Sequence, residues 1–349
     1  MNIKIIINYI KQIFNTVKQY CFSTTHNNKN SSDNNKKCFT VDDILFNFYN
    51  RYDYVDTPVI FYIKNNIDKL FSSILLYFSN MKYKLKIGIE SEFFITKVVV
   101  DNGSKNELLN FAKQNNIELI NFVGERGNKQ YEIQYSPYTD LNKLIDDYDI
   151  MKEYLIKTFN ADFSAKPFFY DSGSALQVNI SINNDKNENL FSLQNDLMEN
   201  AIGGLLQLTN ILLPLYIYDK HCLDRYVFEL NEYIYNIGKI PAPVFNSWGI
   251  NNRTASIRIP TPREIFDSEK YINENKINKR IEFRVPSANA NLKLTLYAVL
   301  LSIKYGIENH ILPPQKTSNN MLKNGSLLNQ IKIENVSFGE LMKSNVCWW

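Results

Sequence analysis

Two glutamates stand two positions apart in the segment Lys84–Phe94, where apolar residues alternate with small or charged ones. This alternation predicts a β-strand, in which successive side chains point to opposite faces, so Glu90 and Glu92 share one face with Gly88. Their carboxylates then lie about 7 Å apart along the strand. Such a pair repels unless a cation or an arginine lies between the two groups. For this strand taken alone, a solvated edge strand with outward charges is the favoured interpretation.

Three further segments combine an aliphatic face with a polar face in the same way. The polar faces carry Glu132 and Gln134 in 131–135, Gln177, Asn179 and Ser181 in 176–182, and Arg280, Glu282 and Arg284 in 279–285. Glu125 precedes Glu132 across a short turn that contains Gly127. The repetition favours a shared surface over four unrelated edge strands.

If these faces belong to one sheet, five glutamates meet on one surface beside Arg280 and Arg284. They are Glu90, Glu92, Glu125, Glu132 and Glu282. So many carboxylates cannot all ionise without cations, and clusters of oxygen ligands bind Mg²⁺ or Mn²⁺. Planar guanidinium groups nearby suit phosphate or carboxylate groups. The combination predicts a metal–nucleotide site for phosphoryl transfer, and a ladder of salt bridges is the competing interpretation.

A second arginine set flanks a short strand that ends at Pro260. It consists of Arg253 and Arg258, and arginine is scarce in this lysine-rich chain. The sequence contains neither a Walker P-loop nor a GxGxxG motif. Phosphate groups would therefore be held by arginines and metal rather than by a glycine-rich loop, although plain surface charge is the alternative for these two residues.

Long segments with helical spacing separate the predicted strands. Helices are predicted over 105–115, 139–159, 194–218 and 289–311, and one or two packed helices within 40–81. Strands and long helices in this order predict an α+β fold, in which helices cover one face of a mixed sheet.

The overall composition excludes several classes of protein. The chain has 349 residues and a formal net charge of +3, too small to indicate a nucleic-acid or anionic-membrane partner. The 4 cysteines lack metal-ligand spacing and indicate reduced thiols in the cytoplasm. With only 3 histidines, a histidine-rich zinc site is excluded.

The N-terminal region differs from the rest in composition and in the spacing of its apolar residues. Residues 1–20 show the spacing of an amphipathic helix, which we expect to dock on the protein or on a sister subunit, and 26–37 have the composition of a solvated linker. No apolar run approaches the roughly 20 residues that span a bilayer. We therefore expect a divergent helical appendage over 1–82, a catalytic domain over 83–349, and no membrane association.

Five segments, in chain order, resemble motifs of the glutamine synthetase family. They are 88–94 (ExEFF in the family), 125–133 (ExGPGQxE), 166–181 (KPx(n)GSGMHxxxS), 252–260 (NRSAxIRIP) and 280–291 (RIExRxPDxANP). The resemblance covers about 83–311, and five ordered motifs carry far more weight than one. It implies a curved, mainly antiparallel sheet with flanking helices.

The resemblance also implies an activity. Members are ATP-dependent ligases that use two or three Mg²⁺ or Mn²⁺ ions, form an acyl phosphate, typically γ-glutamyl phosphate, and pass the acyl group to ammonia or an amine. Glu92, Glu125 and Glu132 match the ligands of one metal, and Glu90, Gln177 and Glu282 match those of another. Arg253, Arg258 and Arg280 match residues around the ATP phosphates, and Arg253 and Glu282 are the expected catalytic pair. Gly173, Arg284 and either His221 or Arg225 are the expected substrate-binding residues.

Several positions depart from the family pattern. Gln177 stands where the family has a histidine ligand, and a neutral amide oxygen is a weaker ligand. Pro241 stands where a glutamate that helps to deprotonate the amine is expected. Residues 1–82 show no counterpart of the family's β-grasp domain, which completes the neighbouring subunit's site.

Two functions remain open at this point, beside a third interpretation in which the chain is a purely structural relic that Mg-ATP does not stabilise. The first is an active carboxylate–amine ligase that acts as a homo-oligomer on a small amino acid and ammonia or an amine. The second is a degenerate relative that binds Mg-nucleotide or a protein partner without turnover.

Overall fold

The computed structural model describes residues 58–261, 279–318 and 320–324. The predicted helix over 1–20, the linker over 26–37 and the first part of the predicted helical region lie outside the described residues. Of these described residues, those from 63 onward belong to one compact unit and 58–62 to a second. The predicted domain boundary after residue 82 stays a prediction.

The helices of the described residues are α1 (Pro58–Asn65), α2 (Ile67–Asn80), α3 (Asn102–Gln114), α4 (Leu141–Phe159), α5 (Leu190–Leu193), α6 (Asn195–Leu208), α7 (Leu213–Tyr216), α8 (Phe228–Asn236), α9 (Leu292–Glu308) and α10 (Met321–Asn324). A 3₁₀ helix spans Lys220–Tyr226. The strands are β1 (Lys84–Phe94), β2 (Leu119–Gly124), β3 (Gln130–Tyr135), β4 (Leu176–Asn183), β5 (Phe245–Ile250), β6 (Ala255–Ile259) and β7 (Ile281–Phe283).

The described strands form one seven-stranded sheet, in the order β2-β3-β1-β4-β7-β6-β5. Its neighbouring strands are antiparallel except β5 and β6, which are parallel. The mixed sheet with flanking helices confirms the predicted α+β fold class. The long strand β1 lies inside the sheet, and its apolar residues Leu85, Ile87, Ile89 and Phe93 are buried.

The helices begin where the sequence offers a side-chain cap. The carboxylate of Asp140 accepts the free N–H groups of Asn142 and Lys143 at the start of α4, and Asn291 accepts the N–H of Leu294 at 2.9 Å at the start of α9. Both helices therefore start a few residues after the starts predicted from periodicity, because the capping residue lies outside the helical turn.

Helices α6 and α9 approach each other through their backbones. A Cβ atom on Gly306 would overlap the backbone oxygen of Asn200, and one on Gly204 would overlap that of Ser302. Only glycine at the crossing permits this separation, so the distance between the two helices is set by main-chain contact.

The single helix predicted over 194–218 is wrong, because the structure breaks it into α6 and α7. Helix α6 ends at Leu208, and Pro214 lies at the start of α7. Proline has no N–H and its ring clashes with the carbonyl four residues earlier, so it is accommodated only in a first helical turn. No helix in the described part of the chain is long and apolar enough to cross a membrane.

Candidate functional site

The register of the sheet places the predicted polar residues side by side. Glu92 lies opposite Glu132 on β3, and Glu90 lies opposite Gln177 on β4. Glu282 on β7 lies opposite Asn179 on β4. Directly opposed residues of neighbouring strands project from the same face of a sheet. The alternating polar residues of these strands therefore form one continuous surface, as the sequence pattern predicts.

A cavity of about 260 Å³ lies on this face. It is lined by every predicted site residue except His221, namely Glu90, Glu92, Glu125, Glu132, Gly173, Gln177, Arg225, Arg253, Arg258, Arg280, Glu282 and Arg284. Segments from strands, turns and a 3₁₀ helix thus meet at one place, although the metal-binding, catalytic and substrate-binding roles of these residues stay predictions.

The structure distinguishes His221 from Arg225, the two alternative substrate-binding residues in the 3₁₀ helix. His221 is exposed at its start and does not line the cavity, whereas Arg225 is 3% exposed and does. The Arg225 guanidinium donates to the carbonyl oxygens of Val285 at 2.7 Å and Arg284 at 2.9 Å. A Cβ atom on Gly173 would lie 2.9 Å from the Arg225 side chain, so glycine is required for this approach.

The carboxylates at the β1–β3 side of the cavity are electrostatically strained. Burial and then the neighbouring carboxylates of Glu90, Glu92 and Glu125 raise the pKa of Glu132 to about 9. Burial also raises the pKa of Glu92 to about 7, with Arg225 acting in the opposite direction. The pKa of Glu90 is raised as well, chiefly by burial and then by Glu282. Protons or cations must neutralise this group of side chains near pH 7.

Each of these three carboxylates accepts a hydrogen bond from an amide on a neighbouring strand or on its own. Gln134 donates to Glu132 at 2.7 Å, Gln177 to Glu92 at 2.6 Å and Asn179 to Glu90 at 3.0 Å. Asn179 also accepts from the Nε of Arg280 at 2.8 Å. The sequence did not predict Gln134 and Asn179 as site residues, although each lies two positions from a predicted site residue.

Arginines dominate the β6–β7 side of the cavity. Glu282 is 1% exposed, and its two oxygens pair with Arg258 at 2.7 Å and Arg284 at 2.9 Å. The same Nη1 atom of Arg284 donates to Oε1 of Gln177 at 2.9 Å. Among the described residues, the buried Nε atoms of Arg225, Arg258 and Arg284 have no hydrogen-bond partner. Buried donors without partners suit an incoming phosphate or carboxylate oxygen.

The residues at the β1–β3 side fit a hard divalent cation by their chemistry. Glu92, Glu125 and Glu132 offer oxygen atoms only, which Mg²⁺ and Mn²⁺ prefer. Within the described ranges, no group of three or more His, Cys, Asp or Glu side chains is already arranged to hold a metal. A cation would therefore require these carboxylates to turn from their amide partners toward a common point.

One carboxylate joins the segments at the rim of the cavity. Asp171 accepts from Lys239 at 2.5 Å and from the backbone N–H of Asn128 at 2.9 Å, and its carbonyl accepts from Lys166. Lys239 leads into Ile240–Ala242, which line the cavity without an ionisable side chain. Burial lowers the pKa of Lys166 to about 8.

Comparison with known proteins gives a consistent result. Residues 102–337 match the model of the family described as "Glutamine synthetase, catalytic domain". The chain is 25% identical over 250 residues to gamma-glutamylputrescine synthetase PuuA of Escherichia coli (strain K12), covering 69% of this chain and 48% of that protein. It is 29% identical over 264 residues to the glutamine synthetase of Pyrococcus furiosus, covering 66% and 54%. The chain thus spans about half the length of the relatives it matches.

Solved structures show the same fold. A GmaS/ADP complex aligns with a TM-score of 0.57 at 17% identity, covering 75% of this chain and 64% of that one. Plasmodium falciparum glutamine synthetase aligns with a TM-score of 0.56 at 18% identity, covering 73% and 58%. The alignments support the arrangement of sheet and helices described above.

Proposed function

This chain belongs to the glutamine synthetase family, and on that premise we propose that it is an ATP- and Mg²⁺-dependent carboxylate–amine ligase. In the proposed reaction a substrate carboxylate, with the γ-carboxylate of glutamate as first choice, attacks the terminal phosphate of ATP and releases ADP. Ammonia or an amine then attacks the acyl phosphate, forming an amide and releasing phosphate. Mn²⁺ is the alternative metal.

The observation that carries the proposal is the division of charge within one cavity. Glu90, Glu92, Glu125 and Glu132 lie at the β1–β3 side, whereas Arg258, Arg280 and Arg284 outnumber Glu282 at the β6–β7 side. Joining two anions, a nucleotide and a carboxylate, requires positive groups on both sides of the reacting atoms. A salt-bridge ladder explains Glu282 and its arginines. Among the described residues, however, it leaves Glu92, Glu125 and Glu132 without an ion pair and the Nε atoms of three arginines without a hydrogen bond.

The arginines of this chain have distinct proposed tasks. Arg253 at the exposed rim, with Arg258 and Arg280, binds the phosphates of ATP, and Arg284 with Gly173 and Arg225 binds the carboxylate substrate. Arg225 is held by backbone carbonyls, so it positions Arg284 and offers its free Nε atom to the ligand. Preorganised donors of this kind stabilise the charge that develops during phosphoryl transfer.

The carboxylates Glu92, Glu125 and Glu132 are proposed to hold a divalent cation. A bound cation would shield phosphate charge and thereby ease attack by a carboxylate. Glu132, with its pKa near 9, must release a proton when a cation binds at neutral pH. Proton release on binding is therefore part of the proposal.

A second candidate function is nucleotide binding without amide formation. It is favoured by Ile240, Pro241 and Ala242, which line the cavity where a group that deprotonates the amine is expected. In that case the protein would bind Mg-ATP, and the amine step would fail. A protein partner would then recognise the nucleotide-bound form.

The test combines two measurements on one preparation. ADP release with Mg-ATP is measured across a panel of carboxylates with ammonia or amines, and hydroxylamine is added to trap an acyl phosphate as a hydroxamate. Arg280→Gln should raise the KM for ATP at least tenfold, since it removes a charged phosphate contact. Lys186→Gln, an exposed substitution, should leave the KM unchanged.

The outcomes separate the candidates. Amide product supports the ligase, and hydroxamate without amide shows that only the second step has been lost. Stabilisation by Mg-ATP without either product contradicts the ligase and favours the binding function. Cytoplasmic location and assembly into a homo-oligomer are proposed with the ligase, and the free thiol of buried Cys222 is consistent with a reducing compartment.

A further inference from the structure

A single guanidinium nitrogen lies where two predicted metal ligands converge. Nη1 of Arg284 is 2.9 Å from Oε1 of Gln177 and 2.9 Å from Oε1 of Glu282. The family resemblance assigns both residues to the second metal ion. A cation bound about 2.1 Å from those oxygen atoms would lie against the two N–H groups that now point at them. The cation and Arg284 therefore exclude each other from this point.

The other oxygen of Glu282 is also occupied. It accepts from Nη1 of Arg258 at 2.7 Å, and the Glu282 side chain is almost fully buried. Both oxygens are thus held by charged donors inside the protein. To ligate a metal, Glu282 would have to leave two ion pairs in a place with little water to replace them.

The amide of Gln177 is fixed at both ends. Its nitrogen donates to Glu92 at 2.6 Å while its oxygen accepts from Arg284. A planar amide supplies a donor and an acceptor on one group, which allows it to connect a carboxylate to a guanidinium. Gln177 therefore links the two sides of the cavity and has no free oxygen directed into it.

The carboxylates at the β1–β3 side, unlike Glu282, are not held by charged donors among the described residues. Within the described part of the chain, no lysine or arginine forms an ion pair with Glu92, Glu125 or Glu132. Glu132 accepts a hydrogen bond from Gln134, and Glu125 accepts one from the N–H of Arg126 at 3.2 Å. Neutral donors of this kind yield to a cation far more readily than a buried ion pair does.

We propose that this site takes one divalent cation, at Glu92, Glu125 and Glu132, and that the guanidinium groups of Arg258 and Arg284 supply the positive charge at the second position. The inference rests on the proposed function for the presence of a cation at all. It makes Gln177 a bridging residue, which connects Glu92 to Arg284 through hydrogen bonds and does not ligate a cation.

The test counts bound Mn²⁺ on the full chain by electron paramagnetic resonance of the free ion during titration. One ion per chain is expected for the unaltered protein. Gln177→Leu and Glu282→Gln should each retain that ion with a dissociation constant within about threefold, because neither side chain ligates it. Glu132→Gln should weaken binding at least tenfold. The thermal transition of each variant checks its folding, and Gln177→Leu leaves both ion pairs of Glu282 in place if Glu282→Gln does not fold.

Two ions on the unaltered protein, falling to one in Gln177→Leu, would overturn the inference and leave the proposed ligase intact. Loss of the ion in Gln177→Leu with retention in Glu132→Gln would also overturn it, because the ion would then lie at the other side. No Mn²⁺ binding by the unaltered protein would instead remove the metal-dependent function itself.

Discussion

Glu132→Gln should stabilise the metal-free protein while weakening its binding of a cation at least tenfold. Glu132 is 3% exposed, and its pKa is raised from 4.5 to about 9 by burial and by three neighbouring carboxylates. Glutamine has the same shape, carries no charge and keeps an oxygen that can accept from Gln134. The substitution therefore removes the free-energy cost of ionising a buried carboxylate and keeps the hydrogen bond from Gln134.

The size of the effect depends on pH in a defined way. Between pH 4.5 and about 9, folded Glu132 holds a proton that the unfolded chain has released. The unfolded state then binds fewer protons, so this group lowers the stability of the fold as pH rises, by up to about 1.4 kcal/mol per pH unit. At pH 7 the penalty reaches about 3 kcal/mol as an upper bound. The stabilisation by glutamine should vanish near pH 4.5 and level off above pH 9.

Urea unfolding in EDTA at pH 5.5, 7 and 8.5 measures this difference. Glu118→Gln, an exposed substitution, serves as the control and should change little at any pH. Mg²⁺ should narrow or reverse this difference, since the unaltered protein gains more free energy of unfolding from binding than the variant does. A Glu132→Gln variant that is less stable than the unaltered protein in EDTA, or equally shifted at every pH, would refute the electrostatic reasoning.

Two further predictions concern stability. Gly306→Ala should lower the unfolding free energy by about 3 kcal/mol, because its Cβ would meet the backbone oxygen of Asn200, whereas Gly124→Ala, with open space around it, should be close to neutral in the same urea titration. Glu282→Ala should cost about 3–5 kcal/mol because it removes the ion-pair partner of buried Arg284 and of partly buried Arg258. The exposed Glu153→Ala should cost less than about 1 kcal/mol, and equal losses in the two glutamate variants would contradict the burial argument.

The sequence was sufficient to predict which residues share the polar face. Period-two alternation predicted that Glu90, Glu92, Glu132 and Glu282 project from one side of their strands, and the register of the sheet brings them together. Alternation is a local property, because it follows from the strand geometry alone. The fold class was predictable for the same reason.

The contacts between strands were not predictable in this way. Arg284 reaches Gln177 because β4 pairs with β7, and strand order is decided by packing over the whole sheet. Strand β2 was not predicted. Its residues, Leu119–Gly124, do not alternate clearly between buried and exposed positions, so the period-two rule does not identify them as a strand. The outward position of His221 depends on the turn of a short 3₁₀ helix, which local spacing did not reveal.

Asp171 has a consequence for motion at the rim of the cavity. Its contacts with Lys239, Asn128 and Lys166 connect the turn before β3, the loop that leads to Gly173 and the segment that leads to Pro241. None of the three can move away without breaking a bond to this one residue. The rim therefore behaves as a cooperative unit, and exchange of ligands past it should follow a single relaxation time rather than three independent ones.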